Sequence, residues 1–170
     1  MCKANQVVLY DYQKSRNAEA PDEFLSGFDG KLVWDGYQVY HTLENRKDTD
    51  FTVAGCWTHA RRPFAQIYKS LGEENAAGTV AAEALVQIQN IYHTDNRLLK
   101  LPPSDRKKRR KTLVKPLVDT FFAWCRNRIE RVPPSSETAK GIKYCINQEK
   151  YLRVFLDDPQ IPLDNNLAEQ

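Results

Sequence analysis

Lys31 to Tyr40, KLVWDGYQVY, restricts the possible folds more than any other stretch. Leu32, Val33 and Trp34 form a continuous apolar run, short for a helix and suited to a strand covered on both faces in a parallel or mixed sheet. Asp35 ends the run and Gly36 follows at once. A sharp turn there leaves Asp35 at the strand's carboxyl end, where open α/β sheets collect their chemistry. A carboxylate so placed can hold a metal ion, although Asp-Gly is also an ordinary polar turn.

Two further apolar runs extend the sheet. Gln6 to Tyr12, QVVLYDY, reads as a strand, and Pro21 opens a short helix through Phe24, Leu25 and Phe28 that Gly27 or Gly30 stops. Strand, helix and strand within about thirty residues is the spacing of a parallel pair with a right-handed βαβ crossover, and it also admits an edge strand paired antiparallel. Tyr37, Tyr40 and Leu43 continue at helical spacing, and Glu44 to Asp50 is a polar loop. Phe51 to Trp57, FTVAGCW, is the next strand. It runs directly into a helix whose apolar positions are Phe64, Ile67, Tyr68 and Leu71. Cys56, His59, Arg61 and Arg62 therefore cluster at a strand-to-helix junction, where helix N–H groups and arginine forks can hold phosphate oxygens. The same residues also read as a buried thiol, a capping histidine and two exposed arginines.

Gly72 to Gly78 reads as a loop, and from Thr79 the pattern is helical. Val80, Ala84, Leu85, Ile88, Ile91 and Tyr92 share one face, closed by Leu98, Leu99 and Leu101 before Pro102-Pro103. Ser104 is the expected N-cap of the next helix, which carries Arg106, Lys107, Lys108, Arg109, Arg110 and Lys111 on early, exposed turns. Its apolar stripe is Leu113, Leu117, Val118, Phe121, Phe122, Cys125 and Ile129, and Pro116 should kink it. After Val132-Pro133-Pro134-Ser135, residues Ala139, Ile142, Ile146 and Phe155 mark a helix ending at Asp157-Asp158-Pro159. Asn166 with Glu169 fits a capping box.

Charge is concentrated. From Asp105 to Arg131, ten Lys or Arg against three acids give +7, in a chain whose net charge is +3. Such a stripe suits phosphate backbones, and equally a solvated helix face. At 170 residues, with 41% hydrophobic and 28% charged residues, the chain can bury a core, and it has no run of 18 apolar residues. Its opening lacks a signal-peptide core, and Cys2, Cys56, Cys125 and Cys145 are spaced as free thiols rather than as a disulfide framework. The expected setting is cytoplasmic, with no membrane partner.

Three blocks, VWDGYQVY at Val33 to Tyr40, GCWTHARRPF at Gly55 to Phe64 and LDNNLAEQ at Leu163 to Gln170, together resemble transposases of the insertion-sequence sixty-six family. The resemblance covers essentially the whole chain. It implies an α/β fold with an RNase H-like core, a mixed sheet and an all-α insertion, truncated at both ends. Residues 1–72 would be the partial core, 73–134 the insertion, and 135–170 the closing helices.

In that family three carboxylates gather two divalent ions, Mg2+ or Mn2+, for in-line attack on a DNA phosphodiester. Asp35 matches the second Asp and Glu169 the Glu, which makes both of them catalytic and metal-binding, while His59 takes a supporting role. No residue matches the first Asp, and Gln170 stands where the family has Arg. The resemblance thus implies a fragment that is silent alone. Its partners are transposon-end and target DNA at the bacterial nucleoid, further copies of the chain, or accessory transposition proteins. DNA contacts are expected from Arg61, Arg62, Arg106, Lys107, Lys108, Arg109, Arg110 and Lys111. The alternatives are a non-catalytic remnant that binds DNA or a transposase, and, more distantly, a zinc protein using Cys56, His59, Cys125 and Cys145.

Overall fold

The computed structural model describes residues 25, 27–34 and 51–164. The strand expected at Gln6 to Tyr12, most of the helix opened by Pro21, Asp35 with the stretch up to Asp50, and the Asn166 to Glu169 capping box lie outside the described residues.

Strand β1, Gly30–Trp34, pairs in parallel with β2, Phe51–Gly55, in the register Leu32 to Val53 and Trp34 to Gly55. Among the described residues the sheet has these two strands. Alternation sends Leu32, Trp34, Phe51 and Val53 to one face, where Tyr151 covers them, and Val33 and Ala54 to the other, against the main core. Both faces are thus covered, as the apolar runs required. Gly55 has to be small: a Cβ there would lie 3.1 Å from the backbone nitrogen of Leu152.

The chain then becomes helical. Helix α1, Trp57–Leu71, is followed by a short α2, Glu73–Ala76, within the segment expected to be a loop. The first-turn acids Glu73 and Glu74 suit the positive end of α2, and Gly72 with φ 76° supplies the left-handed turn into it. Helix α3, Val80–Asn96, begins where the periodicity placed it, capped by the Thr79 hydroxyl, which accepts from the Ala82 N–H at 3.3 Å.

Helix α4, Pro103–Arg109, has Pro102 at its cap in place of the expected Ser104. Proline at the first helical position loses no hydrogen bond and is preset for the helix. A π-helical turn, Arg110–Val114, leads into α5, Lys115–Ile129, with Pro116 in its first turn. The chain thus accommodates the proline, which has no N–H and crowds the carbonyl four residues back, with a π turn just before it.

Helix α6, Glu137–Asn147, is capped by the Ser136 hydroxyl. The single helix expected to run on to Phe155 is broken at Gln148 and resumes as α7, Glu149–Leu152, and a 3-10 turn, Val154–Leu156. The breaks let Tyr151 face the sheet while Leu152 and Phe155 enter the main core.

That core is built around Trp57, whose ring centroid lies 5.6 Å from Phe121, 6.1 Å from Phe122 and 6.2 Å from Phe155. Its indole Nε1 donates to the Leu152 carbonyl at 2.9 Å. Helix α1 packs between α3 and α6, and α5 closes the group against α3 and α6. At the α1–α6 crossing Gly141 permits close approach, since a Cβ would sit 3.1 Å from Pro63 Cβ and 3.2 Å from the Phe64 ring. Glu83 of α3 joins α5 through the Arg128 guanidinium at 2.7 and 2.8 Å and the Trp124 indole at 3.0 Å. No described helix is long and apolar enough to cross a membrane.

Candidate active site and basic surface

The carboxyl ends of the parallel strands define the junction of interest. Trp34, 3% exposed, ends β1 with its ring edge-on to Tyr151 at 5.7 Å. One residue beyond β2, the Cys56 N–H donates to the Trp34 carbonyl at 3.0 Å, extending the ladder by a step. The next N–H, from Trp57, donates to the Leu163 carbonyl at 2.8 Å. Cys56 is extended, with φ −86° and ψ 119°, and α1 starts at Trp57 with no side-chain cap and no acid in its first turn. Consecutive amides at the head of α1 therefore hold the exit of β1 and the end of the closing segment. Asp35 follows Trp34 directly in the chain, and Glu169 follows Leu163 by six residues; both lie outside the described residues.

His59 is half-buried in the first turn of α1. Beside it, the Thr58 hydroxyl lies 3.3 Å from the Tyr92 hydroxyl, which is itself hydrogen-bonded to the Asp164 side chain. Burial pushes Tyr92 well above the usual phenol range, and Asp164 and Cys56 raise it further, so the hydroxyl stays protonated. The consistent assignment has Thr58 donating to the Tyr92 oxygen and Tyr92 donating to the Asp164 carboxylate. This network was not legible in the sequence: Tyr92 read only as part of an apolar face, and Asp164 only as the residue before Asn-Asn.

The basic residues divide into two groups. Arg61 and Arg62 are exposed on α1, and Lys107, Lys108, Arg109 and Lys111 are exposed on α4 and the π turn. Lys111 lies 3.3 Å from Asp157, with both side chains more than half exposed, so the pair is worth little. Arg110 and Arg106 depart from the expectation of an exposed DNA-facing stripe. Arg110 is fully buried, with Nε and Nη2 donating to the two oxygens of Asp95 at 2.7 and 2.8 Å and Nη1 donating to the carbonyls of Phe155, Asp158 and Ile161 at 2.6, 2.8 and 3.0 Å. Arg106, with a side chain 13% exposed, lies 3.6 Å from Asp95. Burial, together with repulsion from Arg110, lowers its pKa. A charge enters the interior only when paired and hydrogen-bonded, and Asp95, 2% exposed, supplies that pairing.

A family model described as "Transposase IS66 family" matches residues 1–170. The chain belongs to this DDE-type transposase family. Relatives in Sinorhizobium fredii (strain NBRC 101917 / NGR234) include the uncharacterized protein y4qI, 25% identical over 169 residues, or 96% of this chain and 30% of its own length. The uncharacterized protein y4jD is 29% identical over 98% of this chain and 32% of its own length. The IS66 chain thus spans about a third of these curated relatives. No solved structure matches it.

The IS66 transposase family generally uses divalent metals, and carboxylate oxygens are the ligands such hard cations prefer. Among the described residues no three His, Cys, Asp or Glu side chains gather as a ligand set, and Asp164, the acid at the junction, is engaged by Tyr92. Asp35 and Glu169, one and five residues along the chain from Trp34 and Asp164, lie outside the described residues. Cys56, Cys125 and Cys145 are buried free thiols. Cys145 hydrogen-bonds Cys125, and this contact and burial raise its pKa, as expected of neutral core thiols rather than zinc thiolates.

Proposed function

We propose that this chain supplies part of the catalytic core of a metal-dependent DNA transposase with an RNase H-like fold, in which residues 73–134 form a helical insertion. Asp35 and Glu169 hold Mg2+ or Mn2+, and His59 supports the site by positioning or proton transfer. Arg61, Arg62, Lys107, Lys108, Arg109 and Lys111 meet the phosphate backbone of transposon-end or target DNA. Two bound ions would stabilise the attacking and leaving oxygens of an in-line displacement. What supports this reading is the pair of consecutive amides at Cys56 and Trp57, which tie the residue before Asp35 and the segment leading to Glu169 to the helix that carries His59.

No residue of the 170 matches the family's first Asp, so the chain by itself binds DNA without cutting it. In that state it works as a DNA-binding or transposase-interacting piece at the bacterial nucleoid, a reading favoured by the exposed cations of α4. Purified chain is titrated with duplex DNA across a salt series and incubated with duplex and Mg2+. The expected results are a steep loss of affinity with salt, a flatter salt slope in the K107E/K108E/R109E variant, and no cleavage. Absent or salt-independent binding refutes the DNA role. Cleavage that is lost in Asp35→Asn refutes the silence of the isolated chain.

A further inference from the structure

We propose that the exposed cations of α4 and the π turn hold duplex DNA without reading its sequence, so that this face takes target or flanking DNA and does not recognise the transposon ends. This rests on the DNA-binding reading above. Six consecutive cations, Arg106 to Lys111, are sorted by one acid. Arg106 and Arg110, about a turn apart, face inward to Asp95 of α3, Arg110 through Nε and Nη2 and Arg106 from 3.6 Å. That fixes the rotation of α4. With 3.6 residues per turn, Lys108 stands opposite this inward side, Lys107 and Lys111 lie on one flank and Arg109 on the other. All four are exposed. Lys107, Lys108 and Arg109 make no ion pair among the described residues, and Lys111 meets only the exposed Asp157.

This face suits phosphates and lacks most of what reads bases. Adenine is read by the paired donor and acceptor of Asn or Gln, and guanine best by the fork of an arginine. From Arg97 to Thr120 the chain has no Asn or Gln. The residue at the crest is Lys108, a point charge without a fork, and Arg109 stands on a flank, where phosphates at a groove edge are nearer than base edges. The Thr112 hydroxyl is turned back on its own helix, 3.3 Å from the Lys108 and Arg109 carbonyls. Contacts to phosphates carry no sequence information. The face suits a single strand no better, because proteins hold single strands by stacking bases on aromatic rings. No Phe, Tyr or Trp occurs between Arg97 and Thr120. Among the described residues the exposed ring is that of Phe28, which packs on Phe51 of β2.

The test titrates the whole chain against AT-rich, GC-rich and mixed duplexes of one length, and against a mixed single strand, by fluorescence anisotropy of labelled DNA from about 50 to 200 mM salt. The duplex affinities should agree within about threefold, and the single strand should bind at least about tenfold more weakly. K107Q, K108Q and R109Q should each flatten the slope of log affinity against log salt by about 0.9, equally on every duplex, because each removes one phosphate contact. R106Q removes a cation from the same run, yet should leave the slope unchanged, since Asp95 already engages that charge and keeps Arg110 as its partner. Circular dichroism checks the fold of each variant. A preference above about tenfold for one duplex, a single strand bound as tightly as duplex, or an R106Q slope as flat as that of K108Q overturns the proposal. If R106Q does not fold, the sequence and single-strand comparisons decide. Chain that binds no duplex refutes the DNA-binding reading itself, whereas a sequence preference refutes this proposal and leaves that reading standing.

Discussion

Trp57→Phe is the substitution whose cost follows most directly from the packing. Trp57 is fully buried, touches Phe121, Phe122 and Phe155, and donates from its indole to the Leu152 carbonyl at 2.9 Å. Phenylalanine keeps a ring but loses three ring atoms and the donor. Two buried carbons at about 0.8 kcal/mol each account for roughly 1.5 kcal/mol. Leaving a buried carbonyl without this donor costs about 1–3 kcal/mol. The expected loss is about 3 kcal/mol, which for a chain of this size lowers the melting midpoint by about 6–12 °C. Urea unfolding followed by circular dichroism measures it, with an unchanged m-value as the sign that compactness is preserved. The backbone N–H of residue 57 still reaches Leu163, so its exchange should report global unfolding only. A loss under about 1 kcal/mol would mean that the indole bond and the aromatic cluster do not organise this core. Early exchange at residue 57 would mean that the side chain, and not the backbone, holds the closing segment.

Gly141→Ala should destabilise the chain despite better helix propensity: the gain is about 1 kcal/mol, and overpacking against Pro63 and Phe64 costs about 1–3 kcal/mol. Adding Phe64→Leu makes room, so the double variant should lose less than the sum of the singles in urea unfolding; strict additivity contradicts the close crossing. At high pH the protonated Tyr92 and Cys145 become liabilities, because their folded pKa values lie above the unfolded ones. Stability is full below about pH 9–10 and falls above it by about 1.4 kcal/mol per pH unit for each group. Urea midpoints between pH 8 and 11 should fall less steeply in Tyr92→Phe than in wild type, and equal slopes would contradict the burial of the hydroxyl.

Much of the chain could be read locally. The two short strands, the run of β2 straight into α1, and the start of α3 at Thr79 follow from short apolar runs, helical periodicity and a capping hydroxyl, all of which act within a few residues; the pairing of β1 with β2 joins segments far apart in the chain and does not. The basic run was harder. Reading Leu113 and Leu117 as the buried stripe put Arg110 on the outside, whereas Leu113 is 44% exposed and Arg110, Val114 and Val118 form the buried row. The spacing of four between those three residues was a signal available in the sequence, but a charged residue at its head argued against it. The long helix read through Ala139 to Phe155 likewise ignored a need that periodicity does not express, that Tyr151 must cover the sheet while Leu152 fills the core on the other side.

The sequence by itself determined which residue types end the strands, where α3 begins, and that three blocks matching a DDE transposase stand in order along the chain. Only the tertiary structure decided which backbone atoms those blocks share, and which cations face inward. Arg110 meets Asp95 from 15 residues away and the carbonyls of Phe155, Asp158 and Ile161 from 45 to 51 residues away. An arginine in a basic run is hydrated until partners from distant elements replace the water. No local pattern encodes their arrival, because it depends on how the helices pack.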